Sequence, residues 1–269
     1  MVCAPPVPGA GAHPMADRPL ILVTNDDGIR ARGLEALAEA AQALGDVWVV
    51  APESEQSAMA HALTLNHPLR IREYGHQKFS VDGTPTDCVF FAALHICPRK
   101  PAIVLSGVNR GANVGDDVTY SGTVSAALEG VIMGFPGIAA SLVIRDDGPR
   151  DYAPGARYTA ELAAQVLERG LPPKVYLNVN IPQIPGDQIK GVHVTTLGQR
   201  MYDDRIIACE DPRGRPYYWI GGKGFEATDI PGSDCNAVLD GYISVTPLQS
   251  DPTDRTMIET LKGWGIERG

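Results

Sequence analysis

Two kinds of hydrophobic pattern alternate along the first two thirds of the chain. Residues 20–23 and 47–51 are short apolar runs rich in β-branched side chains, which is typical of strands buried on both faces of a parallel sheet. Between them, apolar residues recur at helical spacing from Leu34 to Leu44, with polar residues on the opposite face, and this pattern predicts an amphipathic helix. Strand, helix and strand in this order predict a βαβ unit with a right-handed crossover.

The same alternation continues to about residue 181. Further buried strands are predicted at residues 101–106, 137–144 and 175–181, and further helices at 124–133 and 153–167. Residues 84–87 (Thr-Pro-Thr-Asp) have the composition of a helix start, with a threonine cap followed by proline. A chain of 269 residues is long enough for one sizeable domain of this kind with an appendage, or for two small domains. We therefore predict an α/β fold with a doubly wound, mostly parallel sheet over residues 20–181.

From about residue 182 the pattern changes. Strand-like runs at 192–197, 205–209, 217–220 and 242–246 are separated by proline and glycine turns, which predicts a β-hairpin-rich extension over residues 182–269. An amphipathic pattern at 253–264 predicts a closing helix. Because a long hairpin is only marginally stable alone, we expect this extension to pack on another subunit, by exchange between protomers.

Composition and charge narrow the classes of partner. A formal net charge of −9 argues against a broad nucleic-acid surface, and the chain has no apolar run near the roughly 18 residues that span a bilayer. Residues 1–19 lack the features of a secretory signal and are predicted to be a disordered leader. The five cysteines are scattered, with no C-x-x-C pair, so neither a zinc site nor a disulfide framework is indicated. A cytoplasmic location is expected.

Oxygen-bearing side chains follow three of the predicted strands. Asp26 and Asp27 come directly after the first strand, Ser57 lies in the polar loop after the second, and Asn109 lies in the glycine- and asparagine-rich loop predicted at residues 107–117. The carboxyl ends of parallel strands collect ligands at one edge of a sheet, and two adjacent carboxylates there need compensation. Carboxylates, a hydroxyl and an amide suit magnesium, manganese or calcium better than zinc. Taken singly, each residue has a simpler interpretation as a helix cap, a loop serine or a turn asparagine.

A second candidate feature is the helix start at residues 122–124, Gly-Thr-Val. Free backbone N–H groups at a helix start favour an anion such as phosphate, although Thr123 could simply cap the helix. The chain contains neither G-x-G-x-x-G nor the P-loop pattern. His61 is the histidine nearest to the Ser57 loop, and we interpret it as a solvated loop residue.

Several motifs in order resemble those of the survival protein E (SurE) nucleotidases. They lie at residues 24–28 (TNDDG), 51–57, 83–88, 106–111 (SGVNRG) and 120–123 (YSGT), and the similarity extends from residue 20 to about 248. The resemblance implies a Rossmann-like catalytic domain with a carboxyl-terminal extension exchanged between subunits. It also implies a metal-dependent phosphatase acting on nucleoside 5′- and 3′-monophosphates, with some activity on short polyphosphate.

The resemblance also assigns roles to individual residues. It implies that Asp26, Asp27, Ser57 and Asn109 hold one divalent cation per subunit, magnesium or manganese, whose place calcium can take in a crystal. Asp26 and Asp27 are the catalytic candidates, and whether an aspartate also accepts a proton is left open. The implied phosphate-binding residues are Asn113, Ser121, Gly122 and Thr123. The expected partners are nucleoside monophosphates and further copies of the chain, as a homodimer or homotetramer, without nucleic acid or membrane.

Two other functional classes are considered. Haloacid-dehalogenase-type phosphatases carry D-x-D-G after a buried strand, with the first aspartate as nucleophile, but Asn25 occupies that position here, and an amide cannot form an aspartyl-phosphate. A non-catalytic nucleotide- or metal-binding regulatory module could use the same acidic corner. Turnover separates it from an enzyme, because such a module would leave a nucleoside monophosphate intact.

Overall fold

The computed structural model describes residues 18–145, 148–201, 205–221 and 226–267. Nearly all of the predicted leader, residues 1–19, lies outside this description. Among the described residues, no helix is long and apolar enough to cross a membrane.

The strands follow the predicted alternation in the first part of the chain and the predicted runs in the tail. In chain order they are β1 (Leu20–Thr24), β2 (Asp46–Pro52), β3 (Ile71–Gly75), β4 (Lys78–Val81), β5 (Ile103–Arg110), β6 (Gly137–Val143), β7 (Val175–Pro182), β8 (Val192–Val194), β9 (Arg200–Met201), β10 (Arg205–Glu210), β11 (Pro216–Gly221), β12 (Glu226–Ala227) and β13 (Ile243–Gln249). The α-helices are α1 (Arg32–Ala41), α2 (Pro85–Phe91), α3 (Gly122–Ile132), α4 (Ala153–Arg169), α5 (Asp234–Leu239) and α6 (Arg255–Gly263).

Within the described residues, nine strands form one sheet in the order β3-β4-β2-β1-β5-β6-β7-β13-β8. From β4 to β7 every neighbouring pair is parallel. Numbered along the chain, these six parallel strands stand in the order 3-2-1-4-5-6, which is the Rossmann order. The strand order reverses between β1 and β5, so a ligand site is expected at the carboxyl ends of these two strands.

Helices cover both faces of this sheet. On one face, Ile21 and Val23 of β1 pack in a cluster with Leu34 and Leu37 of α1 and with residues of α4. On the other face, Leu22 packs with residues of α2 and α3. Because its side chains pack alternately on both faces, β1 is apolar from Leu20 to Val23, and it is a fully buried central strand.

Local signals in the sequence explain how the two helices near the site begin. Thr84 and Asp87 form a capping box at the start of α2, with Pro85 in the first turn, as the sequence predicts. Ser121, rather than Thr123, is the N-cap of α3, and its hydroxyl accepts a hydrogen bond from the backbone N–H of Val124. This corrects the interpretation of Thr123 as a cap.

The structure also differs from the prediction in the extent and pairing of its elements. The strand predicted to end at Ser106 continues to Arg110, because Asn109 and Arg110 resume pairing with β6 after a shift in register. In the tail, β13 pairs antiparallel with β7 and parallel with β8, so both join the main sheet. The six-residue helix α5 was not predicted, since it is too short to show a helical period.

Candidate metal and phosphate site

The turn after β1 places the two adjacent carboxylates. The side chain of Asn25 is buried, and it both accepts a hydrogen bond from the Gly28 N–H at 3.2 Å and donates one to the Gly28 carbonyl at 3.1 Å. Gly28 has a φ of +97°, a conformation that L side chains rarely adopt. Asn25 thus holds the turn that presents Asp26 and Asp27 at the carboxyl end of β1.

Asp26 is a buried carboxylate, 5 % exposed. Burial is the main cause that raises its pKa to about 6, and the neighbouring charge of Asp27 acts in the same direction. The hydroxyl of Thr123 donates a hydrogen bond to Oδ1 and opposes this shift. Asp26 therefore lies where its negative charge is costly unless a positive charge is nearby.

The side chain of Asp27 lies on the other side of the turn that carries the two aspartates. Its Oδ2 accepts a hydrogen bond from the backbone N–H of Arg110 at 2.9 Å. Burial raises its pKa, Arg110 opposes this, and Glu55 adds to it. The hydrogen bond joins the ends of β1 and β5, the two strands that flank the reversal in strand order.

Ser57 lies in the loop that follows β2. Its hydroxyl donates a hydrogen bond to Oε1 of Glu55 at 2.7 Å, and the preceding residue, Gln56, donates its backbone N–H to the carbonyl of Asp26 at 2.8 Å. The loop is therefore fastened directly to the turn that carries the two aspartates.

Asn109 occupies the last part of β5 rather than a loop. Its side-chain amide donates to the carbonyl of Gly111 at 3.0 Å, which leaves the side-chain oxygen available as a ligand. The preceding Gly107–Val108 peptide bond is cis, and a Cβ on Gly107 would lie 2.3 Å from the carbonyl oxygen of Ala140. Only glycine fits at this close approach of β5 to β6.

Most of the predicted site residues line one cavity of about 190 Å³. The predicted residues in its wall are Asp26, Ser57, Asn109, Asn113 and Ser121, and they are joined by Ala58, Arg110, Ala112, Asp117 and Tyr120. Residues from four separate stretches of the chain therefore converge at the carboxyl ends of β1, β2 and β5.

Asp27 lines a neighbouring cavity of about 270 Å³ instead. Its wall also contains Glu55, Tyr152 and the three arginines Arg32, Arg110 and Arg150. Arg110 belongs to both walls, so the two cavities adjoin, with the paired aspartates at their boundary.

Asn113 is held by a buried polar network. Its side-chain amide donates to the hydroxyl of Ser141 at 2.8 Å, and its backbone N–H donates to Oδ1 of Asn180 at 2.9 Å. The amides of Asn178 and Asn180 both donate to its carbonyl. The two asparagines interrupt the apolar run of β7, and this interruption is the signal in the sequence for the network.

The start of α3 forms the wall behind Asp26. A Cβ on Gly122 would lie 2.9 Å from the Cβ of Asp26, so the close approach of helix and carboxylate requires glycine. Thr123 is fully buried and bonds Asp26 through its hydroxyl. In this structure the amino end of α3 therefore faces the Asp26 carboxylate.

The sequence did not indicate two acids at or near the site, Asp117 and Glu129. Asp117 lines the cavity and forms an ion pair with Arg200 at 2.5 Å, which links the site to the carboxyl-terminal part of the chain. Glu129 of α3 is buried and lies 2.7 Å from Nε2 of His61. His61 lies in a loop and is exposed, as interpreted from the sequence, but its ring also contacts this buried acid.

The donor set fits a hard divalent cation. Two carboxylates, one hydroxyl and one amide oxygen lie at the carboxyl ends of β1, β2 and β5. Magnesium and manganese accept all of these ligand types. The described residues contain no group of three or more histidines, cysteines and acids able to hold a metal, so neutral oxygens are needed beside the two acids. The Asp26 carboxylate is buried with the neutral Thr123 hydroxyl as its side-chain partner, and a cation at this place would offset its charge.

The fold and the site together define a class of protein: a Rossmann-like α/β protein with an acidic, oxygen-lined ligand site where the strand order reverses. A family model described as Survival protein SurE matches residues 21–204. The chain belongs to the SurE family.

Relatives and a solved structure agree with this assignment. The chain is 55 % identical to a protein of Geotalea daltonii named 5′-nucleotidase SurE, over 91 % of this chain and 99 % of that protein. It is 50 % identical to the Myxococcus xanthus protein of the same name, over 94 % and 96 %. The crystal structure of the SurE protein from Aquifex aeolicus has 42 % identity and a TM-score of 0.82, covering 92 % of this chain and all of that one.

Proposed function

We propose that the chain is a metal-dependent 5′-nucleotidase, which hydrolyses nucleoside 5′-monophosphates to nucleoside and phosphate. The observation that carries the proposal is the convergence of Asp26, Ser57 and Asn109 on one cavity, with Asp27 in the wall of the adjoining one. The names of the relatives support the same reaction. Action on 3′-monophosphates and short polyphosphate is part of the proposal.

One divalent cation per subunit, magnesium or manganese, is proposed at the carboxyl ends of β1, β2 and β5, with Asp26, Asp27, Ser57 and Asn109 as its ligands. Such a cation supplies neutralisation of charge on the phosphoryl oxygens and lowers the pKa of a water molecule. In the reaction the water oxygen bonds to phosphorus, the ester P–O bond breaks, and the leaving oxygen gains the proton that the water gives up. Asp26 and Asp27 are the proposed catalytic carboxylates.

The surroundings of the cavity suit a phosphate that carries a larger leaving group. Asn113, Ser121, Gly122 and Thr123 are proposed to bind the phosphate. The first cavity, at about 190 Å³, is small, and the second adjoins it through Arg110. A nucleotide with its phosphate in the first cavity can extend its nucleoside into the second, while Arg110, which belongs to both walls, offsets the negative charge of the phosphate.

A panel of nucleoside 5′- and 3′-monophosphates tests the proposal, with released phosphate measured in magnesium, in manganese and in EDTA. The proposal predicts release with the metals and none with EDTA. A regulatory module would retain the nucleotide intact in manganese, and that result would overturn the proposal.

We also propose that the chain forms a homodimer or homotetramer through its extension. The hairpin β10–β11 lies outside the main sheet, and it exposes Ile206, Tyr218 and Trp219, each more than 60 % exposed, and Ile220, at 93 %. Apolar side chains in such a cluster mark an interaction surface. Exchange of this hairpin between protomers would bury it.

The division of the chain stays a proposal, with a leader at 1–19, a catalytic unit at 20–181 and an extension at 182–269. The separate hairpin supports it, while the pairing of β13 with β7 ties the two parts together. A cytoplasmic location is proposed as well, supported by free thiols at the four described cysteines.

A further inference from the structure

The loop between β2 and β3 carries Ser57 in a conformation that needs support. Ala58 and Ala60 have φ values of +58° and +51°, in the left-handed region that L residues with a side chain disfavour. Such residues keep this conformation only where surrounding contacts impose it. The contacts made by residues 53–64 therefore decide where the Ser57 hydroxyl lies.

Two backbone contacts hold the loop near Ser57. Gln56 donates its N–H to the carbonyl of Asp26 at 2.8 Å, and Ala60 donates its N–H to the carbonyl of Tyr120 at 3.1 Å. Both acceptors belong to segments that line the cavity. These contacts link the loop to the site.

The far end of the loop is fastened to the start of α2. Thr64 donates its backbone N–H and its hydroxyl to the Asp87 carboxylate, at 2.9 and 2.7 Å, and the carbonyl of Ala62 accepts the hydroxyl of Thr84 at 2.7 Å. Neither contact reaches α3, so residues 57–61 between the two ends need a further contact to fix them against that helix.

A side-chain contact joins the middle of the loop to α3. Nε2 of His61 lies 2.7 Å from Oε2 of Glu129, and the side chain of His61 is 32 % exposed while that of Glu129 is 5 % exposed. Among the described residues, the His61 ring is the hydrogen-bonding partner found for this buried carboxylate. A buried acid is costly unless it is paired, so the contact is strongly preferred once the helix has formed.

Glu129 lies on the helix that also supports Asp26. It comes two turns after Gly122 in α3, and Thr123 at the start of the same helix donates a hydrogen bond to the Asp26 carboxylate. His61 itself is not among the residues of either cavity wall. A direct role in the chemistry is therefore disfavoured, and an indirect role through the loop is favoured.

We propose that the His61–Glu129 hydrogen bond positions the Ser57 loop against the metal site, so that both are positioning residues. The inference rests on the proposed function, because it assumes that Ser57 is a metal ligand. One helix then sets two ligands: its first turn holds Asp26, and its third turn holds the loop of Ser57.

The test uses the full-length chain with His61→Leu, which removes the hydrogen bond, and His61→Gln, whose amide can restore it. Glu129→Leu is a second variant, because it removes the buried charge together with the hydrogen bond. His67→Leu is the matched control, since His67 is an exposed histidine of the same segment that contacts the carbonyl of its neighbour Pro68.

The first measurement is hydrogen–deuterium exchange of residues 53–64 in the metal-free protein. The proposal predicts faster exchange in His61→Leu and Glu129→Leu, and exchange like that of the unaltered chain in His61→Gln and His67→Leu. Unchanged exchange in both leucine variants would overturn it.

The second measurement is the dissociation constant for Mn²⁺, by calorimetry. Loss of a residue that orients a metal ligand costs about 10- to 100-fold in metal affinity, so we expect a rise of at least 10-fold in His61→Leu and recovery in His61→Gln. In a Ser57→Ala background the same change should add less than about 2-fold, because the ligand through which it acts is gone. An equal loss in both backgrounds would contradict the proposal.

The two measurements separate this inference from the proposed function. Failure of the unaltered chain to bind Mn²⁺ and to release phosphate would contradict the proposed function. The exchange experiment contains no metal, so it still decides whether His61 and Glu129 hold the loop.

Discussion

Thr123, in the first turn of α3, donates a hydrogen bond from its hydroxyl to the carboxylate of Asp26, although the two residues lie 97 positions apart in the chain. The contact joins the central strand of the sheet to the helix that packs behind it. It also stabilises the charged form of a carboxylate that burial otherwise disfavours. The site is therefore prepared for a charged ligand by the packing of α3 against β1.

Replacing Thr123 by valine should destabilise the metal-free protein at neutral pH. The side chain keeps its shape, but Asp26 loses a donor, and an unsatisfied buried group costs about 1–3 kcal/mol. Urea denaturation measures the loss. Thr119→Val, at an exposed threonine that bonds the carbonyl of Asp116, should change the free energy of unfolding by less than about 0.5 kcal/mol. Equal effects of the two substitutions would argue against a special role for Thr123.

Asp27→Asn should lower metal-dependent phosphate release by about 100-fold or more. The change removes one ligand charge, and metal-ion stabilisation of this kind is worth several kcal/mol. The oxygen of asparagine can still accept the Arg110 N–H that Asp27 accepts, so the thermal transition should stay near that of the unaltered chain. Near-normal release with Mn²⁺ would count against the proposed ligand set.

Gly122→Ala should weaken Mn²⁺ binding, since the new methyl group would lie 2.9 Å from the Cβ of Asp26 and 3.1 Å from its Oδ2. Where a helix has room for the methyl group, replacing glycine by alanine instead stabilises the protein by about 0.5–1 kcal/mol. Gly263→Ala, at the end of α6 where the methyl group meets nothing within 4 Å, is the control and should leave Mn²⁺ affinity unchanged. Calorimetric dissociation constants for the two variants decide the matter, and equal values would refute the steric argument.

Substituting both Ile206 and Ile220 by serine should shift the oligomer towards smaller species. The two residues pair directly across the hairpin β10–β11, and both are exposed. Sedimentation measures the mass of the assembly, with Glu210→Ser, an exposed polar position in the same hairpin, as the control.

Deleting residues 202–230 extends this test and should yield monomers. A deletion variant that keeps the mass of the original assembly would place the oligomer contact elsewhere.

The sequence predicted the central fold because the hydrophobic pattern of each strand and helix there matches the positions that the folded sheet buries. The apolar run of β1 and the helical spacing of α1 each require the buried positions that they occupy. The carboxyl-end rule then brings Asp26, Ser57 and Asn109 to one edge without any knowledge of distances. Their convergence on one cavity follows from strand order.

The remaining features depend on pairings that a single sequence does not display. The addition of β13 and β8 to the main sheet depends on which strand each one pairs with. Glu129 was missed because an acid in a helix is usually solvated, and only the packing of α3 shows that it is buried. Asn109 was placed in a loop because glycines on both sides of it are more common in turns than in strands.

The proposed metal site is tested most directly by anomalous diffraction from crystals of the protein soaked in Mn²⁺. We expect one strong anomalous peak per subunit, with oxygens of Asp26, Asp27, Ser57 and Asn109 at about 2.0–2.3 Å from it or joined to it through one water. A peak elsewhere, or no peak beside these four residues in crystals of a protein that still releases phosphate from nucleotides, would contradict the proposed site.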